Sequence, residues 1–246
     1  MSSVLNVSAY LFMRIADPAS LQPVLRERAQ ASGLKGTILL AEEGINLFLA
    51  GAADAVRGFL DDLRRDERFA ALAAKESWSR EQPFGRLLVK VKREIIRMDH
   101  PTIQPAGGRA PAVDPLTLRR WLDAGVDDRG REVVLIDTRN AFEVDYGAFD
   151  GAVDWRIERF TQFPAAAARH RDDLQGKTVV SYCTGGIRCE KAALYLRSEG
   201  VEALQLEGGI LGYFAAAGGA HWTGECFVFD EREALTPELT PREQHA

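Results

Sequence analysis

The run Thr178-Val179-Val180-Ser181-Tyr182 leads into Cys183-Thr184-Gly185-Gly186-Ile187-Arg188, and a helical stretch over 190–198 then stops at Gly200. A short apolar strand that delivers a cysteine into a two-glycine loop, with a helix directly after it, is the join of an open α/β sheet. Such sheets gather ligands at the carboxyl ends of their strands. The glycines let consecutive backbone N–H groups curl inward into an anion-binding concavity, and the helix adds its positive N-terminal end. That setting stabilises a thiolate, so it predicts a nucleophilic Cys183 with a lowered pKa. The bland alternative, a small buried hydrophobe at a strand end, accounts for a lone cysteine but not for the glycine loop around it. Arg188 stands either to add charge beside the thiolate or to hold the loop or an acidic neighbour.

The same α/β pattern extends on both sides of this loop. Val133-Val134-Leu135-Ile136 and residues 201–206 read as further buried strands, and Asp114-Pro115 as a cap and first helical turn for a helix over 116–124 that ends at Gly125. Alternating strands and helices predict a mainly parallel sheet covered on both faces. The first hundred residues read differently. A strand over 7–15, a helix from Asp17-Pro18 to about Gln30, strands 37–41 and 45–49 joined by Glu42-Glu43-Gly44, a helix over 52–65 and a strand over 85–92 give the order β-α-β-β-α-β. That is the order of a ferredoxin-like α+β domain. In the second helix Val56, Phe59, Leu60 and Leu63 share one face. Residues 99–114, rich in proline and glycine, read as a linker. The expected organisation is therefore a ferredoxin-like domain over 1–98, a linker over 99–114, an α/β domain over 115–230 and a polar, frayed tail over 231–246.

Apolar residues make up 46% of the 246 and charged residues 27%, which suits a soluble globular chain. No apolar run reaches the roughly 20 residues of a membrane span, and the N-terminus lacks a secretory signal. An odd count of three cysteines argues against a disulfide scaffold and for a reducing cytoplasm. Residues 1–110 hold 16 Lys/Arg against 13 Asp/Glu (+3) and residues 111–246 hold 15 against 23 (−8), summing to the net −5. The mildly basic first half is weak evidence for an anionic partner there.

Cys183-Thr-Gly-Gly-Ile-Arg188 resembles the active loop of the rhodanese superfamily, in the Cys-x4-Arg length of its sulfurtransferases rather than the longer loop of its phosphatases. Ile136-Asp137-Thr138-Arg139 is similar to that superfamily's first-strand signature, whose Asp and Arg support the active site. Gly147-Ala148-Phe149-Asp150-Gly151-Ala152 and Leu206-Glu207-Gly208-Gly209-Ile210 resemble two further segments, so the likeness spans roughly 112–220 and implies a rhodanese-like α/β domain. The extended string Cys183–Lys191, with Leu40-Ala41-Glu42-Glu43-Gly44-Ile45-Asn46 and Gly224-Glu225-Cys226-Phe227-Val228-Phe229-Asp230, looks like the bacterial oxygen-dependent tRNA uridine(34) hydroxylases. Longer members of that family carry a cysteine-rich C-terminal extension, whereas this chain ends soon after Asp230. The resemblance implies a tRNA-modifying oxidoreductase that hydroxylates carbon 5 of the wobble uridine. It also implies Cys183 as catalytic cysteine, the anticodon loop of tRNA as partner and molecular oxygen as co-substrate. No other cofactor, membrane or protein partner is indicated.

Around this loop Cys189 has two readings, as a thiol that resolves a persulfide or sulfenate on Cys183 or as a residue packed beneath the loop. Asp137 and Arg139 read as supports, with Arg139 or Glu143 as lesser candidates for touching substrate. No metal site is indicated, because Cys183, Cys189 and Cys226 lack Cys-x-x-Cys spacing and no histidine is grouped with them. Cys226 reads as core, and His221-Trp222 either as an aromatic contact to a base or as a wall of the domain. The best basic cluster for RNA is Arg86, Lys90, Lys92, Arg93 and Arg97, where Lys90 and Lys92 alternate with Val89 and Val91; a solvated strand face is the alternative. Two other functions remain open on the residues alone: a persulfide sulfurtransferase, and a non-catalytic RNA- or protein-binding module with an inert loop.

Overall fold

The computed structural model describes residues 3–242; the outermost residues of the expected first domain and tail, 1–2 and 243–246, lie outside the described residues. The chain forms two compact units, one of residues 1–96 with 229–233, the other of 97–228 with 234–246.

The first unit contains β1 (Val4–Phe12), α1 (Pro18–Ala31), β2 (Lys35–Ala41), β3 (Gly44–Gly51), α2 (Ala53–Arg64), β4 (Ala74–Ser79) and β5 (Leu87–Val91). Asp17 caps α1 by accepting the N–H of Ser20 at 3.2 Å, and Pro18 needs no partner at the first helical position. The apolar face of α2, Val56, Phe59, Leu60 and Leu63, is buried against the sheet together with Leu5, Val7, Ile38, Leu47 and Leu49. Burying each large side chain contributes roughly 1.5–3 kcal/mol. The sheet order is β4-β1-β3-β2-β5. This corrects the expected strand inventory. The strand that completes the ferredoxin-like order is β4, antiparallel to β1, and the expected last strand is a fifth one, β5, parallel to β2 on the opposite edge. The sequence hides β4 because Ala74-Lys75-Glu76-Ser77-Trp78-Ser79 is an edge strand with few apolar side chains, and the residues it buries, Ser77 and Ser79, are polar.

The second unit contains β6 (Ala112–Val113), α3 (Pro115–Ala124), β7 (Val133–Asp137), α4 (Ala141–Val144), β8 (Gly147–Phe149), α5 (Phe163–Arg169), β9 (Thr178–Tyr182), α6 (Ile187–Ser198), β10 (Ala203–Leu206), α7 (Gly209–Ala217), β11 (Trp222–Gly224), β12 (Cys226–Phe227) and β13 (Ala234–Leu235). Its main sheet is fully parallel in the order β6-β10-β9-β7, with every residue of β9 buried. Asp114 caps α3 through the N–H groups of Leu116 and Thr117, and α3 ends at Gly125.

Two expected boundaries are corrected by the fold. Residues 99–114, expected as a linker, belong to the second unit and supply β6, an edge strand. The Pro111 carbonyl accepts the Gln205 N–H at 2.9 Å, which a proline can do although it cannot donate. Much of the expected frayed tail is also placed. Glu231 donates its N–H to the Pro83 carbonyl and Arg232 bonds Ser77 within the first unit, while Ala234 and Leu235 are buried in β13 beside β12. A two-residue apolar stretch in polar surroundings carries no periodicity from which to predict this. Among the described residues no helix is long and apolar enough to cross a membrane.

Candidate active site

Cys183 leaves the carboxyl end of β9, between β10 and β7. The end of β7 is tied to it, because the Thr138 N–H and hydroxyl both donate to the Tyr182 carbonyl, at 3.0 and 2.8 Å. On the other side, the carbonyls of Cys183 and Thr184 accept the N–H groups of Ile210 and Leu211 in the first turn of α7, at 2.9 and 3.1 Å. Gly186 then takes φ +104°, a left-handed conformation open to glycine, and caps α6. Its N–H donates to the Cys183 Sγ at 3.2 Å, and its carbonyl accepts from the Cys189 Sγ at 3.0 Å. Gly209, at φ +63°, fits beneath the loop. A Cβ there would lie 2.4 Å from the Cys183 carbonyl oxygen and 2.7 Å from the Gly186 nitrogen. The resemblance of Leu206–Ile210 to a rhodanese segment was legible, but the approach of Gly209 to the cysteine loop was not.

Two ion pairs lie buried around this loop. Arg188 forms a two-pronged pair with Glu143, at 2.5 and 2.7 Å, and Glu143 is held in turn by the Asn140 N–H at 3.0 Å. Of the readings left open for Arg188, the geometry therefore shows it holding an acidic neighbour, while its charge still acts on Cys183. Arg139 pairs with Asp137 at 2.6 Å, donates to the carbonyls of Glu143 and Gly147, and lies over the ring of Trp222. Arg139 and Glu143 are fully buried and held by protein groups. The Asn140-x-x-Glu143 spacing is that of a capping box and is the sequence signal for the placement of Glu143. Removing one partner from a buried pair of this kind costs about 3–5 kcal/mol, because the other charge is left unpaired.

The three thiols are all buried, but they stand in different fields. Burial alone would raise the pKa of Cys183, but the Cys189 side chain, the Arg188 guanidinium and the backbone N–H groups of Cys189 and Arg188 outweigh it and lower the thiol to about 5. Cys226 lies on β12, and burial pushes its thiol up to about 12. Thr184 and Ile187 are almost fully buried as well, and Gly185 is half-buried. The Phe227 carbonyl on β12 accepts the Thr184 hydroxyl at 3.5 Å, and the Phe227 ring packs edge-on against Phe142, which is 46% exposed. Trp222 is a wall of the unit, edge-on to Phe149 and Phe214, and His221 pairs with Asp123.

Of the basic cluster, Arg86, Lys90, Lys92 and Arg93 are exposed on or beside β5 in the first unit. Val91 is exposed along with its neighbours, so the expected alternation ends at Val89. Arg97 falls in the second unit and pairs with Asp99 at 2.9 Å. Among the described residues no cluster of three or more His, Cys, Asp or Glu side chains is arranged to hold a metal ion.

Residues 4–95 match the UPF0176 acylphosphatase like domain and residues 118–216 the rhodanese-like domain. The chain is 67% identical over 243 residues to the tRNA uridine(34) hydroxylase of Variovorax paradoxus, covering 98% of this chain and 92% of that protein. It is 65% identical to the tRNA uridine(34) hydroxylase of Delftia acidovorans, covering 97% and 91%, and 63% identical to that of Bordetella pertussis, covering 98% and 100%.

Proposed function

Because the chain belongs to the tRNA uridine(34) hydroxylase family, we propose that Cys183 is the nucleophile with which it hydroxylates the wobble uridine, using molecular oxygen as co-substrate. The enzyme is an oxidoreductase that modifies tRNA, and its substrate face accepts the anticodon loop in the cytoplasm. The observation that carries the reading is the Cys183 sulfur itself, which receives the Gly186 N–H at the carboxyl end of β9, with its thiol lowered to about 5.

Carbon 6 of uracil is the electrophilic end of an enone. Thiolate addition there forms a C–S bond and moves the electron pair of the 5,6 double bond onto carbon 5 as an enolate, the form of the ring that combines with oxygen. Positive charge from Arg188 keeps Cys183 anionic before attack and makes it a good leaving group afterwards. Cys183 has no exposed surface, so the base must be unstacked and the side chains around the loop must yield before the ring can enter. The test is mass spectrometry of tRNA nucleosides from cells lacking the gene and complemented with wild type or Cys183→Ser. Wild type should restore 5-hydroxyuridine and Cys183→Ser should give none. Full hydroxylation by Cys183→Ser would overturn the assignment of the nucleophile.

A further inference from the structure

Inserting one atom of molecular oxygen into a C–H bond leaves the second atom to be reduced to water, which takes two electrons that uridine does not supply. Two thiols that close to a disulfide release two electrons and two protons. The loop holds such a pair around a single residue. Gly186 gives its N–H to the Cys183 Sγ at 3.2 Å and receives the Cys189 Sγ–H on its carbonyl at 3.0 Å. The Cys189 side chain also favours the anionic form of Cys183. Cys183 lies at the end of β9 and Cys189 in the first turn of α6, both buried, where a reactive sulfur intermediate is screened from water. The third thiol, Cys226, is fully buried with its pKa pushed up, and is not part of this arrangement.

We propose that Cys183 and Cys189 are the electron donor of the reaction, closing to a disulfide once per uridine hydroxylated; the inference rests on the oxygen-dependent reading above. The enolate and oxygen, with one proton, give a C5 hydroperoxide, and loss of the C5 proton as the Cys183 thiolate departs from carbon 6 restores the double bond. Cys183 then attacks the distal oxygen. An S–O bond forms, the O–O bond breaks, and the oxygen left on carbon 5 takes a proton to become the hydroxyl of 5-hydroxyuridine. Cys183 is now a sulfenic acid. Cys189 attacks its sulfur, an S–S bond forms, the S–O bond breaks and water leaves. In sum, uridine C–H, oxygen and two thiols give uridine C–OH, water and one disulfide, and atoms and electrons balance. A dithiol reductant must reopen the disulfide before the next turnover.

The experiment uses the full-length enzyme, reduced and freed of reductant without air, then mixed with tRNA lacking the modification in oxygenated buffer. Samples are quenched in acid, alkylated under denaturing conditions and read by peptide and nucleoside mass spectrometry. One Cys183–Cys189 disulfide should appear per 5-hydroxyuridine, Cys226 should stay reduced, and product should stop at one equivalent until dithiothreitol is added. In Cys189→Ser the Cys183 sulfenic acid should persist and be trapped by dimedone. Product that passes one equivalent without reductant, while both thiols remain reduced, would overturn the proposal and leave the hydroxylase reading intact. No product even with dithiothreitol present would overturn both.

Discussion

At the scale of single residues, the chemistry depends on opposed contributions to one sulfur. Burial of Cys183 disfavours its anion, and three kinds of neighbour reverse that: the Cys189 side chain, the Arg188 cation and two backbone N–H groups. With the thiol lowered to about 5, the thiolate persists above that pH and the nucleophile is lost as pH falls through it. The acid limb of the single-turnover rate should therefore lie near pH 5 instead of near the ordinary thiol value. Cys189→Ala removes one of these neighbours but keeps Arg188, so the limb should move upward without reaching the ordinary value. A stopped-flow profile of hydroxylation, paired with thiolate absorbance referenced to Cys183→Ser, checks both. The cysteine and its loop were legible because glycine and cysteine have special chemistry in any context. The pairing of Glu143 was not, because its partner Arg188 is 45 residues away and a carboxylate in sequence gives no sign of what it will meet.

At the scale of elements, the loop is positioned by the first turn of α7, whose N–H groups hold the carbonyls of Cys183 and Thr184. That close approach is what Gly209 permits. In Gly209→Ala the new Cβ would meet backbone atoms, the Cys183 carbonyl oxygen at 2.4 Å and the Gly186 nitrogen at 2.7 Å, and neither can give way without moving the loop. A displacement of this kind should lower kcat on the order of 100-fold. Gly58, on the exposed face of α2 with nothing within 4 Å of its would-be Cβ, makes the contrasting case. There Gly58→Ala should leave kcat unchanged and raise stability by about 0.5–1 kcal/mol. Steady-state assays and urea melts of the two variants separate the effects. Helices α1, α2 and α3 were readable from caps and apolar spacing, whereas β4 and β13 were not, since a short edge strand needs little apolar surface of its own.

At the scale of the whole molecule, the mildly basic half includes exposed lysines on the first unit. Lys90 and Lys92 are exposed beside an edge strand, where phosphates can approach. If they bind tRNA phosphates, Lys90→Glu and Lys92→Glu should raise KM with little change in kcat. Each should also reduce the slope of log affinity against log salt by about 1 for every phosphate no longer neutralised. Arg97→Glu should do less, because Arg97 is already paired with Asp99. Binding titrations with tRNA at several salt concentrations distinguish these outcomes. Equal effects at all three positions would favour a diffuse electrostatic field over a phosphate-tracking edge.

By itself the sequence determined the two-part organisation, the α/β character of the second unit, the caps of α1 and α3 and the cysteine loop with its glycines. These depend on patterns within a few residues of one another: period, cap chemistry and the backbone freedom of glycine. Only the tertiary structure decided that β4 completes the first sheet, that the proline-rich segment pairs as β6, that Glu143 holds Arg188, that Gly209 underlies the loop and that Cys189 shares Gly186 with Cys183. Each of these except the last joins segments far apart in sequence. Cys189 is near Cys183 in the chain, but whether its thiol turns toward that sulfur or away depends on how the strand, the loop and two helices pack together.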